Sequence, residues 1–343
     1  MSSESSDHPK QPAHVQLVHM ATGHWVSHIL YVAAKLGLAD HLAAGPMRTE
    51  ELAAATKTHA PSLGRLLRTL GHLGLITEEA AGRVALTNLG EAMKTGAPGS
   101  ARAATLTLAS PMMAQGWGRL LESVQTGKPG LERALGMPLF DWLATHPEDA
   151  SLFSETMVGF HGAEPAAVAS AYDFSGMQTI VDVGGATGNL LAAVLSRYPT
   201  SRGILYDLPH VVCDAPGLLR ARGLSDRVTI LSGSFFERVP EGGDAYLLSH
   251  IIHDWTEEQC FTILDRCRRA MKPGNRLLII EMVLPAGNAP HPGKMLDMMM
   301  LVGPGGQERT GPEYHSLLAK AGFHLTRIVP TDSAVSVVDA MPA

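Results

Sequence analysis

The chain has 343 residues, enough to bury a large core and to form more than one domain, and carries 27 Lys and Arg against 33 Asp and Glu for a formal charge of -6. That balance argues against a general nucleic-acid binder. Three cysteines, Cys213, Cys260 and Cys267, make no disulfide framework and read as small apolar fillers, while 16 scattered histidines include no His-Glu-x-x-His pair, so no metal site is expected.

The polar stretch from Met1 to Pro12 is expected to be disordered and lacks the apolar run of a signal peptide. No apolar segment approaches the roughly 18 residues of a membrane span, so a soluble, cytoplasmic protein is expected. From Val15 to His41 apolar residues recur at helical spacing, with Gly37 as a stop. Such a helix can pack against a second copy or on its own chain, and both readings stay open.

Between Met47 and Leu89 the rhythm changes. Thr49 is placed to cap a first helix, Ala60-Pro61-Ser62 opens a second, and a polar turn at Glu78 to Gly82 leads into Val84-Ala85-Leu86. Helix, helix, hairpin is the order of a winged helix. The second helix offers a DNA groove only Arg65 and Arg68 among leucines, so a packing or dimerisation module is favoured over a DNA-binding regulator. Residues 13–105 read as this dimerisation domain. Residues 106–172 read as a helical linker whose large side chains, among them Trp142, Phe153, Met157 and Phe160, could wall a broad apolar pocket.

From residue 173 the pattern is that of a three-layer α/β domain. Strands are predicted at Thr179–Val183, Gly203–Tyr206, Val228–Leu231, Ala245–Ser249, Arg276–Glu281, Leu325–Val329 and Ser333–Val338, with helices between them and a parallel sheet as the result. The run Thr179-Ile-Val-Asp-Val ends in Gly184-Gly185-Ala186-Thr187-Gly188, where a buried strand delivers a ligand to a helix N-terminus. Asp182 lies in the strand, and Asp207 closes the next one, where a carboxylate meets ribose hydroxyls. The glycine turn fails the Gly-x-Gly-x-x-Gly pattern of pyrophosphate binders because Ala186 takes the second glycine position. A phosphate-free sulfonium-adenosine ligand needs only its amino-acid end and ribose held there.

The second cluster is Leu247-Leu-Ser-His-Ile-Ile-His-Asp-Trp255. His253, past the end of its strand, could take a proton from a bound hydroxyl or could merely cap the next helix beside Asp254. Glu281 ends a central strand, and Glu308 lies in Gly305-Gly-Gln-Glu-Arg-Thr310, where it could orient the imidazole or simply pair with Arg309.

Taken in order, Val181-Asp-Val-Gly-Gly-Ala-Thr-Gly188, Asp207-Leu-Pro-His210, His253-Asp-Trp255, Glu281 and Gly305-Gly-Gln-Glu-Arg-Thr310 make the chain similar, over nearly its whole length, to small-molecule O-methyltransferases that use S-adenosylmethionine: the plant caffeate/flavonoid type and its bacterial relatives of polyketide and antibiotic pathways. The resemblance implies a class I methyltransferase-like doubly wound sheet, a mainly helical N-terminal dimerisation domain and a homodimer. It also implies His253 as general base flanked by Glu281 and Glu308, with no metal. The cofactor side would comprise Asp182, Gly184, Gly185, Gly188, Asp207, Leu208, Ser234, Phe235 and Ser249, with S-adenosylhomocysteine as product. Trp142, Phe153, Met157, Phe160, Asp254, Met298 and Met299 would face an aromatic or polyketide-like acceptor. Two departures stand out. Ser234 occupies a position where the family usually has an adenine-contacting Asp, and Ser249 one where it often has a Lys.

Overall fold

A computed structural model describes residues 11–97 and 99–343. All but the last two residues of the expected disordered terminus lie outside the described residues. The chain divides into two compact units, residues 1–114 with 147–160, and residues 115–146 with 161–343. The region 106–172, expected as one linker, is thus shared between them.

In the first unit, helices Ala13–Ala21, Gly23–Lys35 and Leu38–Leu42 break at Gly37, whose φ of 62° suits glycine. Strand β1 (Met47–Arg48), helices Thr49–Thr56 and Ala60–His72, then β2 (Ile76–Glu79) and β3 (Arg83–Leu86) follow, with β3 central and antiparallel to both neighbours. Thr49 is the first helical residue rather than the cap. Arg48 precedes it, and its N–H is taken by Glu51 Oε2 at 2.8 Å. Pro61 sits in the first turn of the next helix, where its missing N–H costs nothing. Leu63, Leu67 and Leu70 bury one face of that helix with Leu38, Leu42 and Leu52. Arg65 and Arg68 are exposed.

The second unit is built on β4 (Thr179–Val183), β5 (Arg202–Asp207), β6 (Val228–Ser232), β7 (Ala245–Ser249), β8 (Arg276–Glu281), β11 (Phe323–Pro330) and β12 (Ser336–Pro342), in the order β11-β12-β8-β7-β4-β5-β6. The sheet is parallel from β8 to β6, but β12 runs antiparallel to both β8 and β11, so the parallel sheet expected is mixed at one edge. Alternation serves both faces. Ile180, Leu278 and Ile280 enter one core, whereas Val181, Val183, Leu277 and Ile279 enter the other. The strand order reverses at β4, and the crevice that this reversal opens lies at the carboxyl ends of β4 and β7. A short parallel pair, β9 (Val283–Leu284) and β10 (Arg309–Thr310), ties the segment after β8 to the loop carrying Glu308. Among the described residues no helix is long and apolar enough to cross a membrane.

Candidate active site

The glycine turn is defined by what its neighbours leave no room for. A Cβ on Gly184 would sit 2.4 Å from Ile251 Cδ1 and 3.4 Å from Phe235 Cε1, and one on Gly185 would lie 2.5 Å from Asp182 Cγ. Gly184 and Gly188 have φ of 72° and 84°. Ala186 also takes a left-handed φ, 49°, and turns its N–H to Asp207 Oδ2 at 2.9 Å. Asp207 Oδ1 accepts from the exposed Leu208 N–H at 2.7 Å, so this carboxylate braces the turn from the end of β5. Helix Asn189–Arg197 then starts immediately after Gly188.

Beneath the turn, Asp182 shares the apolar face of Ile180. It is 1% exposed, and no side chain among the described residues hydrogen-bonds to its carboxylate. Burial, reinforced by the charge of Asp207, pushes its carboxyl up to about 7. Ser234 and Phe235 reach the same place from the loop after β6. The Ser234 hydroxyl accepts from Phe236 N–H at 3.2 Å, and Phe235 packs edge-on to Trp255 with centroids 6.0 Å apart. Ser249 ends β7 opposite Ile280. A turn whose glycines leave no room for a Cβ, a buried carboxylate below it without a side-chain partner, and a second carboxylate at its rim suit a ligand with an ammonium and a ribose. The residues present therefore fit S-adenosylmethionine.

Across the crevice His253 lies in a single tight turn, Ile252–Asp254, and is 5% exposed. Its Nδ1 is 2.6 Å from Glu308 Oε1, and its Nε2 is 3.6 Å from Asp254 Oδ1. The capping alternative fails. Thr256 caps the following helix Glu257–Ala270, accepting from Gln259 N–H at 3.4 Å. Glu281 is fully buried, and its hydrogen bonds go to the main chain and to a tyrosine rather than to the imidazole. Its Oε1 accepts the backbone N–H of His253 at 3.0 Å and its Oε2 the hydroxyl of Tyr314. It therefore fixes the main chain, whereas Glu308 fixes the ring.

No ion pair joins Glu308 to Arg309 among the described residues. Arg309, 1% exposed, donates to the carbonyls of Ile252 and Gln307 at 3.3 and 3.2 Å. Gln307 N–H meets the His253 carbonyl at 2.8 Å, and Glu308 N–H is held by Asp297 Oδ1 at 2.9 Å. Sequence reading missed Tyr314, Arg309 and Asp297 as supports. Only Arg309 carried a signal, its place beside Glu308.

Burial opposes a charge on His253, but Asp254, Glu308 and Glu281 overcome it and raise its pKa to about 10. Asp254 itself is pushed up to about 6, chiefly by burial, with the His253 charge opposing. Of the expected acceptor-side residues, Met298 and Met299 are half-buried on helix Gly293–Val302, and Trp142 stacks on His146 at 3.6 Å, all in the second unit. Phe153, Met157 and Phe160 belong to the first unit, on helix Pro147–His161.

Residues 117–324 match the O-methyltransferase domain family and residues 18–96 the O-methyltransferase dimerisation domain. The chain is 44% identical over 326 residues to phenazine O-methyltransferase PhzM of Lysobacter antibioticus, covering 95% of each. The crystal structure of LaPhzM superposes with a TM-score of 0.92 at 43% identity, over 97% of this chain and all of that one. An O-methyltransferase from neocarzinostatin biosynthesis, NcsB1, solved with S-adenosylmethionine and 2-hydroxy-5-methyl naphthoic acid, gives a TM-score of 0.82 at 33% identity, over 93% of this chain and 96% of that one.

Proposed function

The chain belongs to the O-methyltransferase family, and from that premise we propose that it methylates a hydroxyl of a flat, largely apolar aromatic acceptor of secondary metabolism, with His253 as the base. The observation that carries the base assignment is the 2.6 Å contact between His253 Nδ1 and Glu308. An N–H held on Nδ1 leaves Nε2 as the acceptor, the form that can take a hydroxyl proton. Glu281 and Arg309 keep the turn in place beneath it.

S-adenosylmethionine supplies an electrophilic methyl on a sulfonium, and the positive charge on sulfur disappears on transfer. Gly184, Gly185, Gly188 and Asp207 would hold its amino-acid and ribose portions, with Asp182 below and Ser234, Phe235 and Ser249 along the adenosine edge. The chain's own work is alignment and proton removal: His253 takes the proton as the oxygen becomes nucleophilic, and apolar surroundings favour a step in which opposite charges cancel. Trp142, Met298 and Met299 are the acceptor-side residues of the same unit. The phenazine and naphthoate named for the two relatives support a fused aromatic acceptor. Three free cysteines suit the reducing cytoplasm.

In the test, His253→Gln should bind S-adenosylhomocysteine by calorimetry nearly as the wild type does, while turnover of phenolic acceptors falls by about 100-fold or more. Undiminished turnover in that variant removes the base assignment. The carbon-13 shift of the transferred methyl separates O- from C-methylation. A product without added mass points to non-methylating use of the cofactor, and duplex DNA should not be retarded by the protein.

A further inference from the structure

The turn that carries His253 begins with a residue in an unusual conformation. His250 has φ of 53°, a left-handed backbone that a side chain adopts only when its surroundings hold it there. Its N–H makes the last rung to β8, donating to Ile280 O at 3.1 Å. The chain then reverses. The reversal puts Ile251 against Gly184 of the glycine turn and starts the single helical turn on which His253 sits.

Glu164 grips the ring of His250, its Oε2 2.8 Å from His250 Nε2, with both side chains about nine-tenths buried. Glu164 is the first residue of helix Glu164–Ala171, where the helix's N-terminal partial charge favours a carboxylate. The His250 and His253 rings lie with centroids 5.2 Å apart, and Asp254 feels both. Two carboxylate-backed imidazoles therefore stand side by side. One is the proposed base, and the other occupies the bend that aims it. A glycine would adopt this φ without strain, yet the chain uses a histidine and ties its ring to a different element.

We propose that Glu164 and His250 form a positioning pair: the carboxylate fixes the ring, the ring fixes the left-handed bend, and the bend sets Ile251 on the cofactor's glycine turn and His253 opposite the acceptor hydroxyl. The pair touches neither substrate nor cofactor in this role. It acts through the turn, and the inference rests on His253 as the base.

Glu164→Ala, Glu164→Gln, His250→Gly and the double variant Glu164→Ala/His250→Gly test it in the full-length enzyme. Glu164→Ala and His250→Gly should each lower kcat by up to about 100-fold while KM for S-adenosylmethionine changes by less than about threefold, since a small misalignment at the reacting atoms suffices. The double variant should be no worse than either single one, because both break the same tie. Glu164→Gln, whose amide oxygen can still accept from Nε2–H, should recover most of the activity. The low-field proton of the short His253–Glu308 bond, read by NMR on histidine-labelled protein, should shift in Glu164→Ala. His250→Gly relieves backbone strain and should stay folded, so it carries the test even if Glu164→Ala does not fold. Single variants within about twofold of wild-type kcat, losses that multiply in the double variant, or an unmoved resonance would each overturn the pair. A fully active His253→Gln removes the base but leaves the resonance experiment intact, so the two readings fail separately.

Discussion

Asp182 and His253 are buried ionisable groups on opposite sides of one crevice, and both hold protons more tightly than their free counterparts. For Asp182 the cause is burial, aided by Asp207, which brings the carboxyl to about 7. An unfolded chain ionises it near 4. Between about pH 4 and 7 the folded protein therefore binds more protons than the unfolded one, and this residue's contribution to stability falls as pH rises through that window. Replacing Asp182 by Asn removes the loss. Relative to wild type, melting temperatures of the ligand-free variant should rise by several degrees between pH 4 and pH 8, and a constant difference across that range speaks against the raised carboxyl.

His253 behaves in the same sense, in a higher pH window. Its pKa of about 10 stabilises the fold fully below about pH 6.5 and ceases to do so as pH climbs through 10. The same proton must leave before the ring can act as a base. A sulfonium held at the glycine turn disfavours a second positive charge nearby. Calorimetry near pH 8 in buffers of different ionisation enthalpy should therefore show proton release when S-adenosylmethionine binds, and less with neutral-sulfur S-adenosylhomocysteine. Equal release for both ligands, or release that persists in His253→Gln, removes this link.

At the scale of elements, the site depends on one loop lying directly on another. A Cβ on Gly306 would come within 1.8 Å of the His253 carbonyl oxygen. Gly306→Ala must push the Glu308 loop away from the imidazole, costing on the order of 1–3 kcal/mol of stability and most of kcat. Denaturant titration and single-turnover rates check both, and a stable, fully active variant shows that the contact does not matter.

Much of this scaffold was readable in the sequence. Continuous apolar runs ended by turn residues placed the central strands, four of them within a residue at each end, because strands buried on both faces leave that signature. The antiparallel direction of β12 was not readable, since a strand's own residues do not record which way its neighbours run. The role of Glu281 was also hidden. Position at a strand end announces a functional carboxylate, but not whether it meets a ring or a main-chain N–H. Asp297 and Tyr314 support the site from helices whose local patterns are those of ordinary amphipathic segments.

For the whole molecule, the dimerisation match coincides with an apolar surface that the first unit leaves open. Met20 and Trp25 are 73% and 60% exposed on helices Ala13–Ala21 and Gly23–Lys35, with Val18, Val26 and Val32 nearby. Val18→Asp combined with Trp25→Glu should convert a sedimenting dimer into a monomer, and an unchanged mass places the contact elsewhere. Neither unit is one uninterrupted stretch of chain, because residues 147–160 belong with the first 114. During synthesis the amino-terminal half thus remains unfinished until residue 160 has cleared the ribosome. An expression fragment ending near residue 114 omits part of its own packing, and one beginning near residue 115 carries a helix that belongs elsewhere.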